Sequence, residues 1–292
     1  MWSGKTLLCP RGILLNGFYK MSRYPLIGNS LLIEVVGGIA TVVLNRPQQL
    51  NALSRELRNN LLIAIQSLND DPEVRVIILT GSGEKAFSVG ADLKEFETSP
   101  LQPDEMGVDC PVMQAFEKLR KPTIAAINGY TVTGGFELAV NCDILVASTN
   151  ACFADTHARV GVVPAWGLTQ YLAMLVGPVR ASYLSFTGNY LDAQTAKAWG
   201  LVLDVLAPDE LLPYCRKLAA DMLSCDQETL VSIRAAMRTG LHRSIDEGLL
   251  QEADLAKQSV SRFDAASFGS VRQTVVNRGK NQIVSTLNGL GQ

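Results

Sequence analysis

The sequence predicts an α/β fold, because apolar strand-like runs keep returning after helix-like segments. The runs at 74–80, 122–127 and 143–148 are short, apolar and rich in β-branched residues. Helical patterns precede the first and the last of them. With 292 residues, 47% hydrophobic and 18% charged, the chain is long enough for one large or two small domains with a buried core. A disordered or fibrous protein is excluded.

The N-terminal segment differs in composition from the rest. Residues 1–33 contain basic, apolar and hydroxyl side chains but no Asp or Glu, which resembles an organellar transit peptide. Met21 offers a second start that removes most of this segment. We expect residues 1–28 to be a transit peptide or a disordered extension. This predicts a mitochondrial location, with a cytoplasmic one as the alternative.

The first regular elements are a hairpin and a helix. Residues 31–44 read as two strands around Gly37-Gly38, a pair with the backbone freedom that a tight turn requires. Ser54 is a suitable N-cap for a helix over 55–70. One face of this helix is apolar and carries Leu57, Leu61, Leu62, Ile65 and Leu68.

The second half of the chain is mostly helical. From about residue 167, helical patterns surround one short predicted strand at 201–206. The last helices, over 228–279, are amphipathic enough to pack on the body of the protein or on a partner.

Charge and side-chain content exclude several classes of function. The net charge is −2 and the pI about 5.8, which gives no general attraction to nucleic acid or anionic membrane. Six cysteines without a CxxC pair indicate reduced thiols, and two histidines exclude a histidine-rich metal site. No apolar run approaches the length of about 20 residues that spans a bilayer. We expect neither a metal nor a cofactor.

The most informative stretch is IAAINGYTVTGGFELAV, at residues 124–140. A strand leads into Gly134 and Gly135, and Glu137 follows in the first turn of a helix. Unhindered N–H groups at a helix start can bind a carbonyl oxygen that gains charge, and a nearby carboxylate can act as a base. The alternative is a close helix–strand contact with a solvated glutamate.

A second glycine motif, GSGEKA at 81–86, follows a strand and fits a weak dinucleotide-binding pattern. A dinucleotide-binding motif requires a helix directly after its glycines and an acidic residue about 20 residues further along the chain. FSVGADLKEF intervenes instead, so a nicotinamide enzyme is only an alternative.

Four motifs in order resemble the crotonase superfamily, the enoyl-CoA hydratase/isomerase family. They are NRPQQLNAL (45–53), VIILTGSGEKAFSVGADLKEF (76–96), KPTIAAINGYTVTGGFELAVNCDILVAS (121–148) and FADTHARVGVVPAWGLTQYL (153–172). The resemblance covers roughly residues 31–280. It implies a spiral of ββα units as the core (29–227), a C-terminal helical trimerisation region (228–292) and an acyl-CoA thioester substrate. A homotrimer or a dimer of trimers is implied.

The resemblance also implies roles for individual residues. Ala91 and Gly134 match the two oxyanion-hole N–H donors, and Glu137 matches the first catalytic glutamate. His157 stands where the family has its second glutamate. Because histidine is a competent acid or base near neutral pH, we expect His157, or water held by it, to donate the proton, and a purely structural histidine is the alternative. Asp155 and Arg159 lie nearby in sequence, and either could tune His157 or form an unrelated pair.

Substrate-binding residues follow from the same resemblance. The CoA moiety is expected beside Ala52, Leu53, Lys85, Lys94, Asp92 and Leu93. Candidate walls of the acyl pocket are Phe87, Trp166 and Leu168, for which ordinary core packing is the alternative.

These observations predict an enzyme that adds water across the double bond of a 2-enoyl-CoA. Double-bond isomerisation is the closest alternative, because it requires one base only. A non-catalytic acyl-CoA-binding or RNA-binding family member is a further alternative, although the acidic net charge argues against RNA.

Overall fold

The computed structural model describes residues 24–99, 105, 107, 110–262 and 268–289. Of the predicted N-terminal extension, residues 1–28, residues 1–23 lie outside the described residues. Tyr24 is buried, and its hydroxyl donates to Asp71 Oδ2 at 2.6 Å. The folded part of the chain therefore reaches back at least to this residue.

Strands and helices are interspersed through the described residues between 31 and 206. The strands are β1 (Leu31–Val36), β2 (Ile39–Leu44), β3 (Val76–Gly81), β4 (Ala86–Ser88), β5 (Thr123–Ile127), β6 (Tyr130–Val132), β7 (Ile144–Ser148), β8 (Cys152–Ala154), β9 (Leu191–Asp192) and β10 (Val205–Leu206). The helices among them are α1 (Arg55–Asp70), α2 (Leu93–Thr98), α3 (Pro111–Lys118), α4 (Gly134–Val140), α5 (His157–Val160), α6 (Leu168–Val176), α7 (Pro178–Thr187) and α8 (Ala193–Ala198). The α/β prediction is confirmed.

The strands form two sheets. The larger has the order β1-β2-β3-β5-β7-β10, in which only β1 and β2 are antiparallel. The smaller has the order β4-β6-β8-β9, in which β4, β6 and β8 are parallel. Because parallel neighbours end at the same edge, the loops after β4, β6 and β8 start side by side.

The larger sheet is covered on both faces, as β3 shows. All six residues of β3 are buried, which is typical of parallel strands between two layers. Ile77 and Leu79 belong to the main core, which also contains the apolar face of α1. Val76 and Ile78 point the other way and pack against Cys215 and its neighbours on α9 (Leu211–Leu223).

The predicted first helix is confirmed. The Ser54 hydroxyl accepts the Leu57 N–H at 3.2 Å, as an N-cap does. Four of the five predicted apolar positions are buried, and Leu62 is half-buried.

One predicted strand is shorter than expected, and the nicotinamide alternative fails. The predicted strand at 201–206 is reduced to Val205–Leu206, because the Leu201 N–H bonds to Ala196 O and closes the turn after α8. GSGEKA leads into β4 and not into a helix, so the dinucleotide-binding interpretation fails.

The C-terminal part consists of α10 (Gln227–His242), α11 (Ile245–Ser261) and α12 (Phe268–Gly289). The chain divides into two compact units, residues 1–231 and 232–292. Among the described helices, none is both long and apolar enough to cross a membrane.

Candidate active site

The loops that follow three parallel strands carry the predicted catalytic residues. Ala91 follows β4, Gly134 follows β6, and His157 follows β8. Because these strands are neighbours in one sheet, residues far apart in sequence meet at one edge. The backbone that leads into α4 is held there by a bond to the end of β8, since Thr133 N donates to Ala154 O at 3.0 Å.

The two backbone N–H groups predicted to form an oxyanion hole lie close together. A Cβ placed on Gly134 would lie 3.7 Å from the Ala91 nitrogen, so the two loops are in close contact. Leu53 N bonds to Gly90 O at 2.7 Å, which fixes the Ala91 loop. Within the described part of the chain, neither the Ala91 nor the Gly134 N–H donates a hydrogen bond. Both groups can therefore bind a ligand oxygen.

An unusual backbone conformation holds these donors. Thr133 has φ 47° and ψ −119°, a region that side-chain-bearing residues rarely adopt. Its hydroxyl donates to Val89 O at 3.1 Å. Gly90 has φ +84°, and a Cβ there would lie 2.1 Å from Thr133 Oγ1. The junction accepts only glycine at position 90.

The adjacent glycines of the motif predict opposite results for the same substitution. A Cβ on Gly134 meets no atom closer than 3.4 Å, whereas one on Gly135 would lie 2.1 Å from Ser88 O. We expect Gly134→Ala to fold with a Tm near that of the wild type but to lose about 10²-fold or more in kcat, because its methyl group would fill the predicted oxyanion hole. Gly135→Ala should lose the fold instead. Thermal melts and crotonyl-CoA turnover check both variants, and full activity in folded Gly134→Ala would contradict this site.

Glu137 is a buried and oriented carboxylate. Its side chain is 5% exposed, and Oε1 accepts the N–H groups of Ala165 at 2.9 Å and Trp166 at 2.6 Å. Asn141 Nδ2 donates to both Glu137 O and Trp166 O. These two bonds connect the loop that contains Ala165 and Trp166 to α4. The alternative of a solvated glutamate is therefore wrong, and Oε2 is the oxygen left for chemistry.

His157 lies between two carboxylates. Its Nε2 is 3.5 Å from Glu137 Oε2, and its Nδ1 is 2.7 Å from Asp155 Oδ1. All three residues are buried. The structure therefore brings together the two predicted catalytic side chains and adds Asp155 behind them.

This arrangement sets the charge of the imidazole. Burial alone would lower the pKa of His157, but the hydrogen bonds to Asp155 and Glu137 and their negative charges raise it to about 9. Burial would raise the pKa of Asp155, yet the hydrogen bonds from the ring and the backbone of His157 keep it below its ordinary value. At neutral pH, His157 is a cation that can donate the proton on Nε2.

Arg159 takes no part in this contact. Its guanidinium Nε donates to Thr187 O at 2.8 Å, at the end of α7. Of the two neighbours that could tune His157, Asp155 is thus the one that touches the ring.

The residues predicted to lie beside CoA have varied surroundings. Lys85, Lys94 and Leu93 are exposed, whereas Ala52 and Leu53 are buried. The Asp92 carboxylate pairs with Arg46 at 2.8 Å, and Arg46 also donates to Ala52 O at 2.6 Å. Asp92 therefore connects the Ala91 loop to the segment that precedes α1.

The candidate acyl-pocket residues lie mainly in the core. Phe87 and Leu168 are fully buried, and Trp166 is 6% exposed. Core packing is enough to explain Phe87 and Leu168. Their role as pocket walls stays a prediction.

Several contributors to the site carry no assigned role in the sequence analysis. They are Arg46, Asn141 and the N–H groups of Ala165 and Trp166. Arg46 belongs to the sequence motif NRP, and Ala165 and Trp166 belong to PAWG. Neither motif indicates that Arg46 pairs with Asp92 or that the two N–H groups bind Glu137.

Comparison with known proteins identifies the family of the chain. The model of the family "Enoyl-CoA hydratase/isomerase" matches residues 34–273. The chain is 37% identical over 251 residues to "Probable enoyl-CoA hydratase 1, peroxisomal" of Arabidopsis thaliana, covering 86% of this chain and 94% of the relative. It is 40% identical over 232 residues to "Probable enoyl-CoA hydratase, mitochondrial" of Dictyostelium discoideum, covering 79% and 83%.

A solved structure gives the same result. The enoyl-CoA hydratase of Mycobacterium tuberculosis H37Rv superposes with a TM-score of 0.67 at 40% identity, covering 78% of this chain and 98% of that one. The chain belongs to the enoyl-CoA hydratase/isomerase family, and its fold is that of the crotonase superfamily.

Proposed function

We propose that this protein adds water across the double bond of a 2-enoyl-CoA thioester, with Glu137 as base and His157 as acid. The observation that carries the proposal is the 3.5 Å contact between Glu137 Oε2 and His157 Nε2, at the same sheet edge as two available N–H donors. The reaction belongs to fatty-acid or related acyl-CoA metabolism. The names of the relatives support hydration.

Activation begins at the thioester carbonyl. Its oxygen accepts the N–H groups of Ala91 and Gly134, which withdraw electrons from the conjugated double bond and make Cβ electrophilic. These donors bind the enolate oxygen more strongly than the ground-state carbonyl oxygen. One such donor is worth about 3 to 4 kcal/mol in comparable enzymes.

Water addition uses Glu137. Oε2 removes a proton from water while the water oxygen attacks Cβ, and the electron pair of the double bond moves towards the carbonyl. Oε1 cannot take this role, because it already accepts two N–H groups. The charge that develops rests on the oxygen in the hole.

Protonation of Cα uses His157. The Nε2–H group delivers its proton to Cα as the enolate collapses, which gives a 3-hydroxyacyl-CoA. Glu137 is then protonated and His157 is neutral. Transfer of that proton from Oε2 to Nε2 across the same contact restores both groups, so the atoms and charges balance.

The presence of a second proton carrier favours hydration over isomerisation. An isomerase needs one base that removes and returns a proton, whereas hydration needs both an acid and a base. Here a cationic imidazole stands beside the carboxylate. We therefore place hydration first.

The test is turnover of crotonyl-CoA and of a 3-enoyl-CoA by the purified protein, with products identified by mass. A hydratase gives a product heavier by one water from crotonyl-CoA. Conversion of the 3-enoyl-CoA without water addition would support the isomerase instead. Tight binding without turnover would support a non-catalytic acyl-CoA binder, and strongly salt-dependent binding to RNA an RNA-binding role.

We also propose a homotrimer, or a dimer of such trimers, in the mitochondrion. Exposed apolar side chains on α7, such as Val179 and Phe186 at 81% each, support burial against another subunit. The basic N-terminal composition supports the location, while the named relatives are assigned to peroxisome and mitochondrion. Sedimentation of the purified protein and imaging of a C-terminal fluorescent fusion test these two points.

A further inference from the structure

We propose that Asp155 is a positioning residue that fixes the tautomer and orientation of His157, so that Nε2 always faces Glu137. This inference rests on the proposed function and deepens it, because it explains how a histidine can replace the second family glutamate. The proposal stands on the contacts that Asp155 makes with both the ring and the backbone of His157.

Asp155 is rigidly placed. It directly follows β8 and is 1% exposed. One oxygen, Oδ1, accepts the His157 ring at 2.7 Å and the His157 backbone N–H at 3.2 Å. The second contact is an Asx turn, which orients the start of α5. The same carboxylate oxygen therefore fixes both the chain and the imidazole.

This contact decides which nitrogen carries protons through the cycle. Oδ1 of a carboxylate accepts hydrogen bonds, so Nδ1 keeps its hydrogen in the charged and in the neutral ring. After His157 has protonated the substrate, its lone pair must then be on Nε2. That nitrogen faces the protonated Glu137 across 3.5 Å and can take the proton back.

The other groups around the ring do not compete for Nδ1. From α4 the ring meets Glu137, which contacts Nε2. From α7, Ser185 lies near Asp155, whose Oδ2 is buried without a hydrogen-bond partner among the described residues. Arg180 of the same helix lies over the Trp199 ring at 5.2 Å. On α5 itself, Arg159 is bonded to Thr187 O. Asp155 and Glu137 are thus the carboxylates that set the proton affinity of His157.

Asp155→Asn separates positioning from folding. Asparagine preserves the Asx turn and can accept the Nδ1–H, but it has no charge. We expect the pKa of His157 to fall by about 1 to 3 units. If the pKa returns to its ordinary 6.5, about one ring in ten is protonated at about pH 7.5, so kcat falls at least about ten-fold there.

The first readout is NMR titration of His157 in the full chain. The sequence has two histidines, so a His242→Gln background leaves one imidazole to follow. The expected result is a lower titration midpoint in Asp155→Asn with the Nδ1–H tautomer kept, and in Asp155→Ala a population of the Nδ1 lone-pair tautomer that the parent lacks. An unchanged midpoint in Asp155→Asn, or an unchanged tautomer in Asp155→Ala, would overturn the proposal. This readout needs no turnover, so it fails independently of the hydratase assignment.

The second readout is the pH profile of crotonyl-CoA turnover. In Asp155→Asn the fall of kcat on the alkaline side should move to lower pH, with KM changed little. Arg159→Gln, on the same short helix, is the matched control and should keep the parental profile. A uniform loss of activity with no shift of the profile would mean a purely structural role. Asp155→Ala, which also loses the Asx turn, should show the shift together with a lower Tm.

Discussion

Replacing Glu137 with glutamine is expected to lower kcat for hydration of crotonyl-CoA by about 10²- to 10⁴-fold. Glutamine has nearly the same shape, and its carbonyl oxygen can still accept the Ala165 and Trp166 N–H groups. It cannot remove a proton from water. The loss should therefore appear in turnover while Tm and acyl-CoA binding stay close to wild type.

A matched control separates the site from a general charge effect. Glu117 is an exposed glutamate on α3, and Glu117→Gln should leave kcat unchanged. Initial rates by loss of enoyl-thioester absorbance, with melts of each variant, provide the comparison. Retention of more than about a tenth of wild-type turnover by folded Glu137→Gln would show that another group is the base.

Replacing His157 with glutamine is expected to lower kcat by about 10²-fold or more at neutral pH. Glutamine can hydrogen-bond to Asp155 and Glu137 but cannot donate the proton that Cα requires. The return path for the proton on Glu137 is lost as well, so every turnover would depend on exchange with solvent. Arg159→Gln serves as the control, since it alters the same helix without touching the imidazole.

The result can separate two kinds of defect. If His157 is the acid, the variant should still bind crotonyl-CoA. It should exchange the α-proton of 3-hydroxybutyryl-CoA with solvent much more slowly than the wild type. Normal α-proton exchange together with slow hydration would instead assign the donor role to another group. Isothermal titration and exchange in deuterated water distinguish these outcomes.

Much of this site is predictable from the sequence because it depends on local patterns. Gly134 and Glu137 lie within one turn of a helix, and the sequence pattern places that helix after a strand, although it does not predict the short β6 between that strand and the helix. The role of Ala91 is implied only by the resemblance to the crotonase superfamily, and the strand before it, β4, is not visible in the sequence pattern. Once β4 and β6 are parallel neighbours, the two N–H donors meet.

The remaining contacts depend on packing between distant segments. Glu137 and Trp166 are 29 residues apart in sequence, and their bond requires a specific path of the loop before α6. Spacing also cannot indicate whether Asp155 or Arg159 turns towards His157. The side-chain rotamers decide this, and they follow from the position of β8 beside β6 and of α7 beside α5.

The most direct measurement is the pH dependence of kcat for crotonyl-CoA hydration by the wild type and by His157→Gln. An acid acts only while protonated, and the raised pKa of His157 means that this form is complete at neutral pH and lost as pH rises through about 9. The predicted result is hydration that falls through this range in the wild type and lacks that step in the variant. Hydration with the same alkaline profile in both proteins, or no hydration at any pH, would contradict the Glu137–His157 mechanism.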